Sequence, residues 1–551
     1  MLRALPDGSF EHLVCLPSPS ELGAEAEASL GRELEAAGYR QDPDVLDTWF
    51  SSALWPLSTM GWPDPARFPE TAGLLETFNP SSVLCTAREI ITLWVSRMVM
   101  FNRHLRGGVL PFRDVLIHAM IQDGHGQKMS KSLGNGFDPR DIVHSHGADA
   151  LRFTLVQLAT STQDVRIPVD MVCPHTGETF TPPWTRSSSG HIVAEPVVES
   201  PKAPGKFMVS VYGAASGAAT PSDDRPLARN TSSRFDQGRN FANKLWNATR
   251  FALGILAEAP AAGPSASLSE ARLEDRWIVA TLRQALGRLD TALDHYQFNA
   301  AADALYDFAW RDFCDWYLEA IKPTVRDDPR QRQVLRSVLD ALLRMLHPIC
   351  PFVTETLWPH LRAVGAAGLA ELELADCECC AVAAWPVATE RLDDAAALAT
   401  FERVRTLVSQ IRTVRGERNV PPKKRLRLLA SAAVLELAAS AGGLVEHLAG
   451  LEAIERFDGE PPAGSAAIAF EGSELRLDGI VDESSLGEER ARLEKLVKSL
   501  RGRISGFEAK LSNPGYLAKA KPELVEETRT LLEQSRLDLE AAERALASIS
   551  G

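Results

Sequence analysis

The stretch DVLIHAMIQDGHGQKMSKSLGNGFDPRDIV, residues 114–143, decides how the rest of the chain is read. It opens with DVLIHAMIQ, an apolar run of strand length, and passes into GQKMSKSLGNG at 126–136, rich in glycine, lysine and serine. Glycines let backbone amides approach an anion closely, and Lys128 and Lys131 supply point charges three residues apart. Such a loop suits a polyphosphate; a solvated Lys/Ser turn reads the same residues equally well. The spacing is not G-x-x-x-x-G-K-[ST], so this is not a P-loop. Around it, short apolar runs such as SSVLCT alternate with helical periodicity in AREIITLWVSRMVMFNRHL and GADALRFTLVQLA. Strand–helix alternation predicts an α/β layer with parallel strands over 43–167.

The chain has 551 residues, enough for roughly three or four domains as a soft prior. Apolar content of 45% with 24% charged residues is that of a globular protein with ample core. No apolar run reaches membrane-span length, and the N-terminus lacks the apolar centre of a signal peptide. The 8 cysteines are scattered, which predicts reduced thiols and a cytoplasmic location. A net charge of −14 argues against a general nucleic-acid coat but not against a local basic surface.

Residues 1–42 are rich in Glu, Ala and Pro and read as the trailing edge of something larger. Residues 168–229 carry much Pro, Gly, Ser and Thr and predict a loop-rich insertion. Long helical patterns over 230–400 predict an antiparallel bundle, and 401–485 joins a basic helix to short strand-like stretches. Leu493, Val497, Leu500, Ile504, Phe507 and Leu511 form a heptad seam, SNPG at 512–515 breaks it, and a second seam runs from Val525 to Ile549. Residues 486–551 therefore predict a two-helix coiled-coil hairpin; a dimerising coiled coil is the alternative.

KMSKS at 128–132 is the second signature of class I aminoacyl-tRNA synthetases, and the chain resembles their valyl branch over nearly its full length. DVLDTWFSSALWPLSTMGWP (44–63), REIITLWVSRMVM (88–100), GRNFANKLWNATRF (238–251) and LHPICPFVTETLW (346–358) are similar to segments of that family. The arm EERARLEKLVKSLRGRISGFEAKLSNPGYLAKAKPE (488–523) discriminates most, since isoleucyl and leucyl relatives generally lack it. The resemblance implies a Rossmann-type catalytic half-domain, a helical anticodon-binding bundle and a tRNA-binding coiled-coil arm. It implies activation of valine by ATP with Mg2+ and transfer to tRNA-Val, by a monomer with no tightly bound cofactor.

By the same resemblance Lys128 and Lys131 act on the ATP phosphates, with Met129, Ser130, Ser132 and His118 beside the nucleotide. Trp49 and Ile90 wall a valine pocket with Glu89 nearby, although plain core packing also explains a Trp and an Ile. Glu89 stands where close relatives are expected to have Asp. The family's first signature, His-x-Gly-His, is absent, as is nearly all of the editing domain. The chain thus reads as a C-terminal portion, inactive alone, or as one half of a split enzyme; a non-catalytic tRNA-binding module is the other alternative.

The tRNA-facing candidates are Arg412, Arg415, Lys423 and Lys424 in a basic stretch over 403–427, and Lys495, Lys498, Arg501, Arg503, Lys519 and Lys521 in the arm. A solvated helix face with internal ion pairs explains them too. Cys173 and His175 in CPHTG, and the cluster Cys377, Cys379 and Cys380, lack a four-ligand spacing, so no metal site is expected.

Overall fold

The computed structural model describes residues 2–543 except 5–6, 8–9, 17–22, 161–162, 259–264, 366–367, 373, 388, 458–461, 463, 481–482, 513–524, 526–527, 530, 534, 537–538 and 540–542. Two compact bodies result, Met1–Ala119 and Met120–Gly551. The division falls inside the segment that composition alone marks as continuous.

In the first body, strands β1 (Leu2–Ala4) and β2 (Phe10–His12) form an antiparallel pair, followed by helices α1 (Ala24–Ala36) and α2 (Thr48–Ala53). Strands β3 (Ser81–Ala87) and β4 (Phe112–His118) pair in parallel, joined by a crossover that contains α3 (Ser96–Leu105). Parallel pairing requires such a crossover. Asp47 caps α2 by accepting the Trp49 amide at 3.0 Å. Trp94 donates its indole N–H to the Ser52 carbonyl, and the Phe50 and Phe101 rings meet edge to face at 5.3 Å. These contacts fix α2 to the crossover.

The second body begins with a further parallel pair, β5 (Ile121–Asp123) and β6 (Val165–Ile167). Between them lie the lysine loop and helices α4 (Pro139–His146) and α5 (Ala148–Leu158). Residues 168–229, read from sequence as a loop-rich insertion, fold into short antiparallel ladders joined by loops. β7 (Asp170–Val172) pairs with β8 (Thr179–Phe180) and with β13 (Arg229–Thr231), β9 (Trp184–Arg186) with β10 (Ile192–Ala194), and β11 (Val197–Glu199) with β12 (Phe207–Val209). A five-residue helix, α6 (Val211–Ala215), follows. The core here is small: Met171, Cys173, Val198, Met208 and Ala228. Strands this short bury too few side chains to leave an alternating pattern, so the sequence reads as punctuation.

Long helices follow: α7 (Arg234–Glu258), α8 (Leu273–Asp294), α9 (Phe298–Tyr306), α10 (Pro329–Leu346) and α11 (Pro351–Ala363). Helix α5 joins them. Phe153 stacks on Phe241 at 4.5 Å. Gly238 lets α7 cross close to α5, since a Cβ there would stand 2.5 Å from the Ala150 carbonyl oxygen. The Asp149 carboxylate accepts the Phe352 and Val353 amides at the start of α11, and Arg152 donates to the Pro348 and Ile349 carbonyls. Helix α12 (Ala395–Glu417) runs through position 400, where composition suggests a boundary, and stacks Phe401 on Trp277 at 3.9 Å.

A four-stranded sheet follows, in the order β15 (Leu451–Arg456), β14 (Leu426–Ala430), β17 (Ser473–Asp478), β16 (Ala466–Phe470). Helices α13 (Ala432–Ser440) and α14 (Leu444–Ala449) sit between β14 and β15. The last described helix, α15 (Glu483–Leu511), ends just before SNPG. Leu539 packs on Val497 and Leu500, and Arg501 pairs with Glu543 and Arg536 with Glu508. Among the described residues no helix is long and apolar enough to cross a membrane.

The bundle buries one acidic pair. Burial pushes the Asp275 carboxyl up, and the adjacent Glu274 adds to this; hydrogen bonds from Tyr317 and Gln331 oppose it, and the result is about 7. An unfolded Asp titrates at about 3.9. Between these values the folded protein holds the extra proton, so stability falls as pH rises through that window. Urea unfolding followed by tryptophan fluorescence is expected to lose on the order of 1 kcal/mol per pH unit between about pH 5 and 7 from this group, with Asp275→Asn flattening the slope.

Candidate functional site

The lysine loop starts where β5 ends. Asp123, the last residue of that strand, is only 2% exposed. Its Oδ1 accepts the His125 and Gln127 amides, both at 2.9 Å. Its Oδ2 accepts the Gln127 side-chain amide at 2.9 Å and that of Asn135 at 2.8 Å. Burial alone would raise the Asp123 carboxyl, but these four donors outweigh it and hold it below the usual carboxylate range. Asn135, buried opposite, accepts the Ser130 amide and donates weakly to the Lys128 carbonyl. The two ends of the loop are thereby tied through one buried carboxylate–amide pair.

Above that neck the side chains divide. Ser130 turns inward, its hydroxyl accepting the Leu133 amide and lying 3.2 Å from the Ser132 hydroxyl. Met129 is half-buried, and a Cβ on Gly136 would stand 3.8 Å from its Cβ. Lys128 and Lys131 are exposed. Two cations thus stand on a crest whose base is fixed, which suits electrostatic stabilisation of an anion without reorganising the backbone.

The other sequence candidates occupy the first body. Trp49 lies in the first turn of α2 and is half-buried. Glu89 is exposed and Ile90 half-buried in the single turn that precedes the crossover helix. His118 ends β4, exposed, with its Nδ1 donating to the Ala119 carbonyl at 2.9 Å.

Sequence reasoning missed Asp123, Gln127, Asn135 and Asn230. A faint signal exists in QDGHGQ and LGNG, where turn glycines flank buried polar residues. The Cys173 thiol lies 3.2 Å from the Ser200 hydroxyl, and His175 donates to the Phe207 carbonyl. Among the described residues no group of three or more His, Cys, Asp or Glu is placed to hold a metal ion.

The basic candidates differ sharply. Arg415 is buried and donates to the carbonyls of Gly450, Pro421, Pro422 and Lys424. It is spent on holding a turn and is corrected from phosphate contact to internal support. Arg412 donates twice to the Leu448 carbonyl and lies over the Trp316 ring at 5.2 Å. Lys424 donates to the Ile480 carbonyl, whereas Lys423 is exposed. In the arm Lys495, Lys498 and Arg503 are exposed, and Arg501 pairs with Glu543. Lys519 and Lys521 lie outside the described residues.

Comparison with known proteins gives this geometry a context. Residues 18–168 match the model for class I tRNA synthetases (I, L, M and V), 275–430 that for the anticodon-binding domain of tRNA ligase, and 485–550 that for the valyl tRNA synthetase tRNA binding arm. A valine–tRNA ligase of Rhodopirellula baltica is 39% identical over 543 residues, covering 96% of this chain and 49% of that one. The chain belongs to the class I tRNA synthetases, on their valyl branch. A second relative, the valine–tRNA ligase of Corynebacterium efficiens, is 36% identical over 93% of this chain and 50% of its own length. This synthetase-family chain spans about half the length of the curated relatives it matches. Among solved structures, a LeuRS of Agrobacterium radiobacter K84, in a ternary complex with tRNA and LeuAMS, aligns at a TM-score of 0.42 with 20% identity, over 64% of this chain and 34% of that one.

Asp123→Asn turns one carboxylate oxygen into an amide donor facing two other donors, at a cost of about 1–3 kcal/mol. Backbone exchange at 126–136 is expected to accelerate in this variant while the helical bundle stays protected. Because the Asp123 carboxyl is held below its ordinary range, its contribution to the neck is expected to be complete above that range and to be lost as pH falls through the lowered native value.

Proposed function

We propose that this chain carries the ATP-phosphate, anticodon and arm portions of a valine–tRNA ligase. The carboxylate of valine attacks the α-phosphorus of ATP, supplied as its Mg2+ complex. The bond from that phosphorus to the bridging oxygen breaks, and pyrophosphate leaves with the electron pair. Lys128 and Lys131 close over the β- and γ-phosphates as charge develops there. The terminal ribose hydroxyl of tRNA-Val then attacks the carbonyl carbon of valyl-adenylate, and AMP departs. Trp49 and Ile90 wall the amino-acid side chain with Glu89 beside them, and His118, Met129, Ser130 and Ser132 neighbour the nucleotide. The observation that carries the reading is the lysine crest on its locked neck, in a chain matched almost end to end by valine–tRNA ligases.

The proposed division follows the sequence: an editing-domain edge at 1–42, a catalytic half at 43–167, an insertion at 168–229, an anticodon bundle at 230–400, a basic junction at 401–485 and a tRNA-binding arm at 486–551. An antiparallel hairpin for the arm is supported by its ion pairs, because Arg501–Glu543 and Glu508–Arg536 step in opposite directions along the two segments. Lys423, Lys495, Lys498 and Arg503 are the proposed phosphate contacts, in a cytoplasmic, monomeric enzyme. A second reading, complementation by a separate chain carrying the first half, is favoured by the exposed Val45, Leu46, Val83 and Val115 of the first body.

The test is a chimera in which this chain follows the first half of the Rhodopirellula baltica relative. Valine-dependent ATP–pyrophosphate exchange is expected, and Lys131→Ala should lower its kcat at least about tenfold with a smaller change in KM for ATP. Unchanged exchange in that variant sinks the clamp assignment. Replacing Lys495, Lys498 and Arg503 by Ala should weaken tRNA-Val binding and flatten its dependence on log salt by about 0.7–0.9 per lost contact.

A further inference from the structure

Residues 168–229, together with Asn230 just beyond them on β13, contribute no residue to the assignments above, yet they grip the lysine loop at both ends. At the entry, Gln127 exchanges two hydrogen bonds with the Ile192 peptide unit: its side-chain amide donates to the Ile192 carbonyl at 2.7 Å, and its oxygen accepts the Ile192 amide at 2.7 Å. The neighbouring His125 ring meets the Trp184 ring edge to face at 4.7 Å. At the exit, the side-chain amide of Asn230 donates to the carbonyls of both Gly134 and Gly136, each at 2.8 Å. Gly134 itself has φ of 56° and lies flush against the start of α6; a Cβ there would be 2.3 Å from the Tyr212 amide nitrogen. Most of these contacts fix main chain. The two lysines between them stay exposed.

We infer that the insertion is a brace for the KMSKS loop, and that Gln127 and Asn230 are positioning residues for the nucleotide. The inference rests on the reading of that loop as an ATP clamp. A loop free at both ends must be ordered when the polyphosphate binds, and that ordering subtracts from affinity. Hydrogen bonds to the Gly134 and Gly136 carbonyls and a steric stop at Gly134 remove much of that freedom beforehand. Preorganisation of this kind acts on ATP affinity and leaves the valine pocket untouched.

Hydrogen–deuterium exchange on the full 551-residue chain reads the brace directly. Asn230→Ala and, separately, Gln127→Ala should each speed exchange at 126–136 by about tenfold, from loss of two or more hydrogen bonds, with amides of α8 and α10 unchanged. In the chimera, each variant should raise KM for ATP several-fold while KM for valine stays constant; mere loss of folded enzyme would lower kcat alone. Unaltered loop exchange in both variants overturns the brace. Faster loop exchange with an unchanged KM for ATP overturns the positioning role. Should Lys131→Ala leave adenylate formation intact while Asn230→Ala still frees the loop, the ATP role falls and the brace stands on exchange alone.

Discussion

One buried carboxylate sets the geometry of the lysine loop. Asp123 gathers two backbone amides and two side-chain amides at the end of β5, so its charge is compensated by fixed dipoles and not by a counter-ion. That choice matters beneath two exposed lysines. Amides, rather than a lysine or arginine, meet the Asp123 charge, and Lys128 and Lys131 stay at the exposed face of the loop. Burial penalises the anion, and the four donors together outweigh that penalty.

The same body carries this order onward. Helix α4 leaves the loop and leads into α5, which is clamped to the bundle by Asp149 on the α11 amides and by Arg152 on the preceding carbonyls. Close approach at Gly238 and the Phe153–Phe241 stack complete the joint. The loop, the insertion and the helices matched to an anticodon-binding domain therefore share one continuous framework. A residue near the loop and one in the bundle are linked by packed elements with little slack.

Charge counting alone misjudges the basic stretch before β14. The stretch 403–427 looks like a strong basic patch, yet Arg415 and Arg412 spend their donors on backbone carbonyls, Arg403 pairs with Glu471 and Arg405 with Asp312. Burying a guanidinium is tolerable only when its donors are satisfied, and here the turn before β14 and the Leu448–Gly450 stretch before β15 supply the acceptors. Exposed cations persist at Lys423 and, along α15, at Lys495, Lys498 and Arg503.

By itself the sequence determined the parallel α/β character around the loop, the helical bundle, the helix that ends at SNPG and the two lysines, because periodicity, Pro-Gly breaks and a five-residue signature are local. It left the function of 168–229 blank and counted Arg415 as available. Both depend on side chains meeting backbone groups far away in the chain: Gln127 on Ile192, Asn230 on Gly134 and Gly136, Arg415 on Gly450. Every residue carries a peptide C=O, and all but proline an N–H, so no pattern of side chains announces which of them will be bonded. Only the tertiary structure decides that, by bringing one particular carbonyl within reach of one particular amide.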